Sequence, residues 1–125
     1  MSVLPPILQR QHDAANQRVV IEMDIPASLP HFSGHFDDHP ILPGIAQLDW
    51  AIALAREVFP LPQKFQSVER LKFNAPVFPP NRLQLTLEYQ AAQGQFNFSY
   101  CRSADGQTVS SGRVRFSSER AEELA

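Results

Sequence analysis

The stretch HFSGHFDDHPILPGIAQLDW, residues 31–50, sets His31, His35 and His39 at intervals of four among Asp37, Asp38, Pro40 and Pro43, then runs directly into apolar sequence. Pro40 and Pro43 break regular backbone pairing, so the first half reads as an ordered loop and the second as a helix entered at Pro43 and Gly44. From Gly44 to Ala55 the only polar side chains are Gln47 and Asp49, and a helix apolar almost all the way round is normally buried. At about 100° per residue, Asp49 falls ~40° from Ile45 and beside Ile52, at the edge of the apolar stripe. An acid stands where a hydrophobe would be easier to bury.

Ahead of this stretch, RVVIEMDI (residues 18–25) puts Val19, Ile21, Met23 and Ile25 on one face and Glu22 and Asp24 on the other, the period of a half-buried strand. Behind it, SVERLKF (67–73) carries a weak strand pattern, while RLQLTLEYQ (82–90) alternates strictly through Leu83, Leu85, Leu87 and Tyr89. QFNFSYC (95–101) repeats the pattern with Phe96, Phe98 and Tyr100, and TVSSGRVRF (108–116) closes the series. Loops at Gln93-Gly94 and Asp105-Gly106 join these runs as hairpins. The order of strand, buried helix and antiparallel meander predicts an α+β fold, a long central helix wrapped by a curved antiparallel β-sheet.

At 125 residues the chain is one domain, 1–125, with its core at about 18–117. A hydrophobic fraction of 43% places it among globular proteins, and a net charge of −2 gives no reason to expect nucleic acid as a partner. No apolar run approaches the length of a bilayer span, and the N-terminus lacks a basic region followed by an apolar one. These features predict a soluble cytoplasmic protein with no membrane partner. The lone Cys101 cannot form an intramolecular disulfide and reads as inert.

His35 on the loop and Asp49 on the helix pair an imidazole with a carboxyl, the elements of a general base and a general acid. A carboxyl buried among Ile45, Leu48 and Ile52 would suit the acid role. Backbone N–H groups near Gly44, at the positive end of the helix and without intrahelical acceptors, would hold a carbonyl oxygen gaining negative charge. Base, acid and oxyanion donor are what removal of a proton beside a thioester carbonyl and expulsion of a β-hydroxyl require. Three histidines at intervals of four also invite a metal site with Asp37 and Asp38. The prolines exclude a helix there, so the interval does not place them on one face, and no metal is expected.

GHFDDHPILPGIAQLD resembles the signature of the 3-hydroxyacyl-[acyl-carrier-protein] dehydratases of the hotdog fold, G-H-F-P-x-x-P-x-x-P-G followed by a helix bearing Glu or Asp. Gly34, His35, Phe36, Pro40, Pro43, Gly44 and Asp49 match in register. FNAPVFPPNRLQLTLE resembles the family's later F-x-x-P-V-x-P-G-D-x-L, with Phe73, Pro76, Val77, Pro79 and Leu83 in place. Within the family the chain is most similar to the small dehydratases of aryl polyene clusters. The resemblance implies that His35 takes the C2 proton, Asp49 protonates the leaving 3-hydroxyl and the Gly44 amide holds the thioester carbonyl. Phe36, Pro43, Ile45 and Trp50 are the expected substrate-binding residues. It further implies an acyl-carrier protein as substrate carrier, no cofactor beyond the carrier's phosphopantetheine, and a homodimer or a heterodimer with a related subunit, each site drawing its His and its acid from different chains. Departures from the pattern are Asp49 for the commoner glutamate, Ala53 where many members have glutamine, Trp50 for a small residue, FDDHP (36–40) for a Pro-Gly type linker, and Pro80-Asn81 for Gly-Asp.

Two other readings compete with dehydration. A hotdog acyl thioesterase would use Asp49 to activate water and would not need His35; a non-catalytic acyl-binding subunit of a dehydratase heterodimer would bind thioester and leave it intact. Trp50 also has a core-packing reading. Arg70, Lys72, Arg82, Arg102, Arg113 and Arg115 are candidates for a patch that docks an acidic carrier protein, against the simpler view that strand-surface charges are solvated.

Overall fold

Alternation along the strands decides the layers. The computed structural model describes residues 3–32 and 40–117. In chain order its elements are β1 (Ile7–Asp13), β2 (Arg18–Ile25), α1 (Gly44–Val58), β3 (Lys64–Phe73), β4 (Asn81–Gln90), β5 (Gln95–Arg102) and β6 (Thr108–Ser117). The six strands form one antiparallel sheet in the order β1-β2-β4-β5-β6-β3. Register pairs Ile21 with Leu85 and Leu85 with Tyr100, so each strand turns its apolar positions to the same side. There they meet Trp50, Ala51, Leu54 and Ala55 of α1, all fully buried. Full burial of each large side chain in this layer contributes about 1.5–3 kcal/mol.

The two edge strands are the ones whose sequence pattern is absent or weak. β1 is exposed at every residue after Ile7, so no buried face imposes a period of two, and the strand begins before the core expected from residue 18. β3 lacks alternation for the same reason. It also carries a bulge between Glu69 and Lys72, with Arg70 at φ 55°, and it pairs with β6, not with β4, its successor in sequence.

The expectation of a helix buried all round holds on one side only. α1 buries Ala46, Gln47, Trp50, Ala51, Leu54 and Ala55, while Ile45 is 71% exposed and Asp49 also lies on the surface. The helix runs past Ala55 to Val58, where the Phe59 N–H closes it on the Ala55 carbonyl. Arg56 then donates to the Pro62 and Gln63 carbonyls and lies 4.6 Å from the centre of the Phe116 ring.

Hairpins β1–β2 and β4–β5 use one device, a 3₁₀ turn closed by a left-handed residue: Gln17 at φ 53° and Gly94 at φ 62°. The left-handed conformation costs an L-residue roughly 1–2 kcal/mol and glycine almost nothing. A Cβ at Gly94 would also stand 3.1 Å from the Phe116 carbonyl oxygen. Gly94→Ala is therefore expected to destabilise the protein by about 1–2 kcal/mol, and Gln17→Gly to stabilise it by up to about 1 kcal/mol. Urea titrations of both variants check the pair, and equal midpoints would contradict it.

Candidate active site

The site forms where one rung of the sheet meets the start of α1. Register places Ser110 of β6 opposite both Tyr100 of β5 and Phe73 of β3. Each of the three touches the helix entrance. The Tyr100 hydroxyl donates to the Gln47 carbonyl (2.7 Å) and the Ser110 hydroxyl donates to Gln47 Oε1 (2.6 Å). Phe73 lies so close to Gly44 that a Cβ there would stand 2.6 Å from its ring. Burial pushes the Tyr100 phenol well above its ordinary value, so the group stays neutral and serves as a donor.

Pro43 supplies the turn into the helix. Its φ of −62° and ψ of 141° are extended, and it offers no side-chain cap. The Pro43 carbonyl accepts from the Ala46 and Gln47 N–H groups. Those of Gly44 and Ile45 precede the first intrahelical donors and point out of the positive end of the helix. Leu42 donates its N–H to the Val77 carbonyl at 2.9 Å, tying the approach to the β3–β4 crossover.

A cleft of about 520 Å³ opens here between Ile41, Leu42, Gly44 and Ile45 on one side and Phe73, Asn74, Ala75 and Pro76 on the other, with Gln47 also in its lining. Of the residues picked out from the sequence, Gly44 and Ile45 line it and Pro43 starts the helix beside it. His35 and Phe36 lie outside the described residues. Asp49 is on the exposed side of α1 and does not line the cleft. Its expected burial among Ile45, Leu48 and Ile52 is not met within one protomer, because Ile45 is itself on the surface and Leu48 and Ile52 are only half-buried. Trp50 is fully buried, donates its indole N–H to the Val3 carbonyl (3.0 Å) and meets the His31 ring edge-on at 5.0 Å. It occupies the core and does not line the cleft. Sequence reasoning gave no role to Gln47, Tyr100 or Ser110; the one available signal was a glutamine alone on the sheet-facing side of an apolar helix.

A second cleft of about 240 Å³ is lined by Arg70, Lys72, Asn97, Ser111 and Arg113, with Phe98 and Gly112 also contributing. The bulge in β3 brings Arg70 to this cleft together with Lys72. Glu69 pairs with Arg113 and Arg115 at 3.9 and 3.6 Å. Arg102 is engaged elsewhere with Asp105, which holds the guanidinium pKa above and the carboxyl pKa below their ordinary values.

The model of the ApeI-like family, described as ApeI dehydratase, matches residues 10–113. The chain belongs to the ApeI-like dehydratases. The dehydratase heterocomplex ApeI:P from Xenorhabdus doucetiae includes a chain similar at 30% identity with a TM-score of 0.81, covering 90% of this chain and 97% of that one. An uncharacterised protein from Erwinia carotovora subsp. atroseptica matches at 32% identity and a TM-score of 0.79, over 92% and 97% of the two chains. The 3-hydroxyacyl-[acyl-carrier-protein] dehydratase FabZ of Clostridium perfringens is 24% identical over 119 residues, 88% of this chain and 85% of its own. Among the described residues, one α-helix on a six-stranded antiparallel sheet is the hotdog fold that this ApeI-like protein shares with its structural neighbours. Among the described residues no helix is long and apolar enough to cross a membrane.

Trp50 tests how far this family member's site reaches into the core. Trp50→Phe loses the bond to Val3 and leaves a cavity, and is expected to destabilise the fold by about 2 kcal/mol. As a packing residue it should leave the ranking of acyl-chain lengths unchanged in a turnover assay. A changed ranking at unchanged stability would assign Trp50 to the acyl pocket.

Proposed function

We propose that the protein dehydrates 3-hydroxyacyl thioesters carried on acyl-carrier protein, giving trans-2-enoyl thioesters for fatty acid or polyene-type biosynthesis. The observation that carries this reading is the Gly44 end of α1. An uncapped helix N-terminus opens onto an apolar cleft in a chain whose His35 and Asp49 stand in register with the dehydratase motif. In this scheme the Gly44 N–H stabilises the thioester oxygen as charge builds on it. Neutral His35 removes the C2 proton, the C2–C3 double bond forms, and the C3–O bond breaks as Asp49 supplies the proton that lets the hydroxyl leave as water. The phosphopantetheine belongs to the substrate carrier, and the scheme uses no cofactor.

Asp49 and Ile45 lie on the surface of α1, and Phe65, Leu71 and Phe73 of the edge strand β3 are 40–51% exposed. Apolar surface next to a catalytic acid supports a two-chain site, in which a second copy or a related subunit covers both and the acid of one chain serves the histidine of the other. The heterocomplex of the Xenorhabdus relative favours the related subunit.

A mass-resolved turnover assay on 3-hydroxyacyl-carrier protein tests the scheme. The wild type should give a product lighter by one water, and His35→Ala and Asp49→Asn should each lower the rate by on the order of 10²–10⁴. Gly44→Pro isolates the amide. Proline is tolerated at the first helical position, and Pro43 already has the extended backbone that a following proline requires. It should cost on the order of 10²–10³ in rate, beyond the effect of Gly44→Ala, which fills the same space and keeps the N–H. Release of free acid that survives His35→Ala would make the protein a thioesterase, and thioester bound but unchanged would make it an acyl-binding subunit.

Arg70, Lys72 and Arg113 are proposed to dock the acidic carrier protein. Charge reversal at Arg70 and Lys72 together should raise KM for carrier-borne substrate by about 10-fold or more, falling with added salt. KM for a pantetheine thioester without the carrier should not move; equal effects on both substrates would exclude docking at this cleft.

A further inference from the structure

Of the three buried polar side chains among the described residues, two bond to each other beside the cleft: Gln47, 3% exposed and part of its lining, and Ser110, fully buried behind it. The Ser110 hydroxyl holds Gln47 Oε1 at 2.6 Å, and the Tyr100 hydroxyl holds the carbonyl of the same residue at 2.7 Å. The carboxamide is thereby fixed with its oxygen toward the sheet. Its Nε2 has no hydrogen-bond partner among the described residues, and the side chain lines the cleft. The neighbouring lining is largely apolar, with Ile41, Leu42, Ile45, Phe73 and Pro76, so the donor suits a single oxygen on an otherwise hydrocarbon ligand.

Its position identifies which oxygen. Gln47 follows Gly44 by three residues, about 4.5 Å further along the helix axis. In a 3-hydroxyacyl thioester the hydroxyl stands two carbons beyond the carbonyl carbon, a comparable span. Resting on the dehydratase reading above, we propose that the Gln47 carboxamide N–H, held by Ser110, donates to the 3-hydroxyl oxygen of the substrate whose thioester carbonyl lies at the Gly44 amide. The bond fixes the direction of the hydroxyl and leaves a lone pair on it for the proton that the acid delivers. Gln47 is then a substrate-binding residue that selects acyl chains bearing a 3-oxygen, and Ser110 is the residue that positions it.

The test measures binding, with turnover blocked by His35→Ala in the full-length protein. Kd is measured for a 3-hydroxyacyl pantetheine thioester and for the unsubstituted acyl thioester of equal length. The expected preference for the hydroxylated ligand is roughly 10-fold. Gln47→Leu should abolish it by weakening only that ligand, and Ser110→Ala should reduce it. Equal weakening of both ligands, an unchanged preference, or no binding of either would overturn the proposal and leave Gln47 as a tie between α1 and β6. If Gln47→Leu fails to fold, Ser110→Ala decides alone: a reduced preference supports the proposal and an unchanged one refutes it. The dehydratase reading stands or falls separately on the product mass from the unmodified protein, which this binding comparison does not use.

Discussion

One rung of the sheet, Tyr100–Ser110–Phe73, determines where the helix begins and therefore where any chemistry at its N-terminus takes place. Two of its members bond to Gln47 and the third fills the space that a side chain at Gly44 would need. Because the rung crosses β5, β6 and β3 in register, a one-residue slip of any of these strands would turn its polar groups to the opposite face. The alternating apolar positions of β5 and β6 lock that register. The hydrophobic pattern of the sheet thus sets the location of hydrogen bonds far from most of the residues that carry the pattern.

The helix entrance is built against the usual preferences. A common N-terminus begins with Ser, Thr, Asp or Asn, whose side chain satisfies the first free N–H groups. Here Pro43 caps with nothing, and Gly44, a poor helix former, follows it. These two choices give the Gly44 and Ile45 N–H groups no cap among the described residues, and the helix start is held by other contacts. Leu42 is pinned to Val77, the Tyr100 hydroxyl bonds the first-turn carbonyl of Gln47, and Trp50 and Leu54 are fully buried a turn or two further on. Local rules broken at a site and compensated by the core around it are the pattern expected where stability gives way to function.

The sheet-facing half of this design was legible in the sequence. Strict alternation in residues 82–90 and 95–101, and the apolar run after Gly44, placed β4, β5 and α1 because each buries one face and the period records it. β1 was not legible, since a strand with both faces wet leaves no period. The partners of Gln47 were hidden for another reason: which residue of β6 lies beneath the helix depends on sheet order and register, and β3 pairs with β6 across a crossover that local sequence does not encode. For the site, Gly44 was readable from the Pro-Gly junction. The exposed setting of Asp49 was not, because a helix buried by its own sheet and a helix buried by sheet and partner together carry the same apolar composition.

That ambiguity bears on the proposed mechanism. Along α1, residues 46, 47, 50, 51, 54 and 55 face the sheet, and residues 45 and 49 turn away from it. Gln47 and Asp49 are about 200° apart around the helix axis, so one protomer cannot aim both at a single small ligand in its own cleft. If Asp49 is to meet the substrate that Gly44 and Gln47 hold, it must come from a second α1 brought against the first. Ile45, 71% exposed and one helical turn before Asp49, is the kind of apolar surface that such an approach would cover. Assembly and acid chemistry would then depend on the same contact, and a protomer kept apart from its partner would retain the cleft and its donors without the acid.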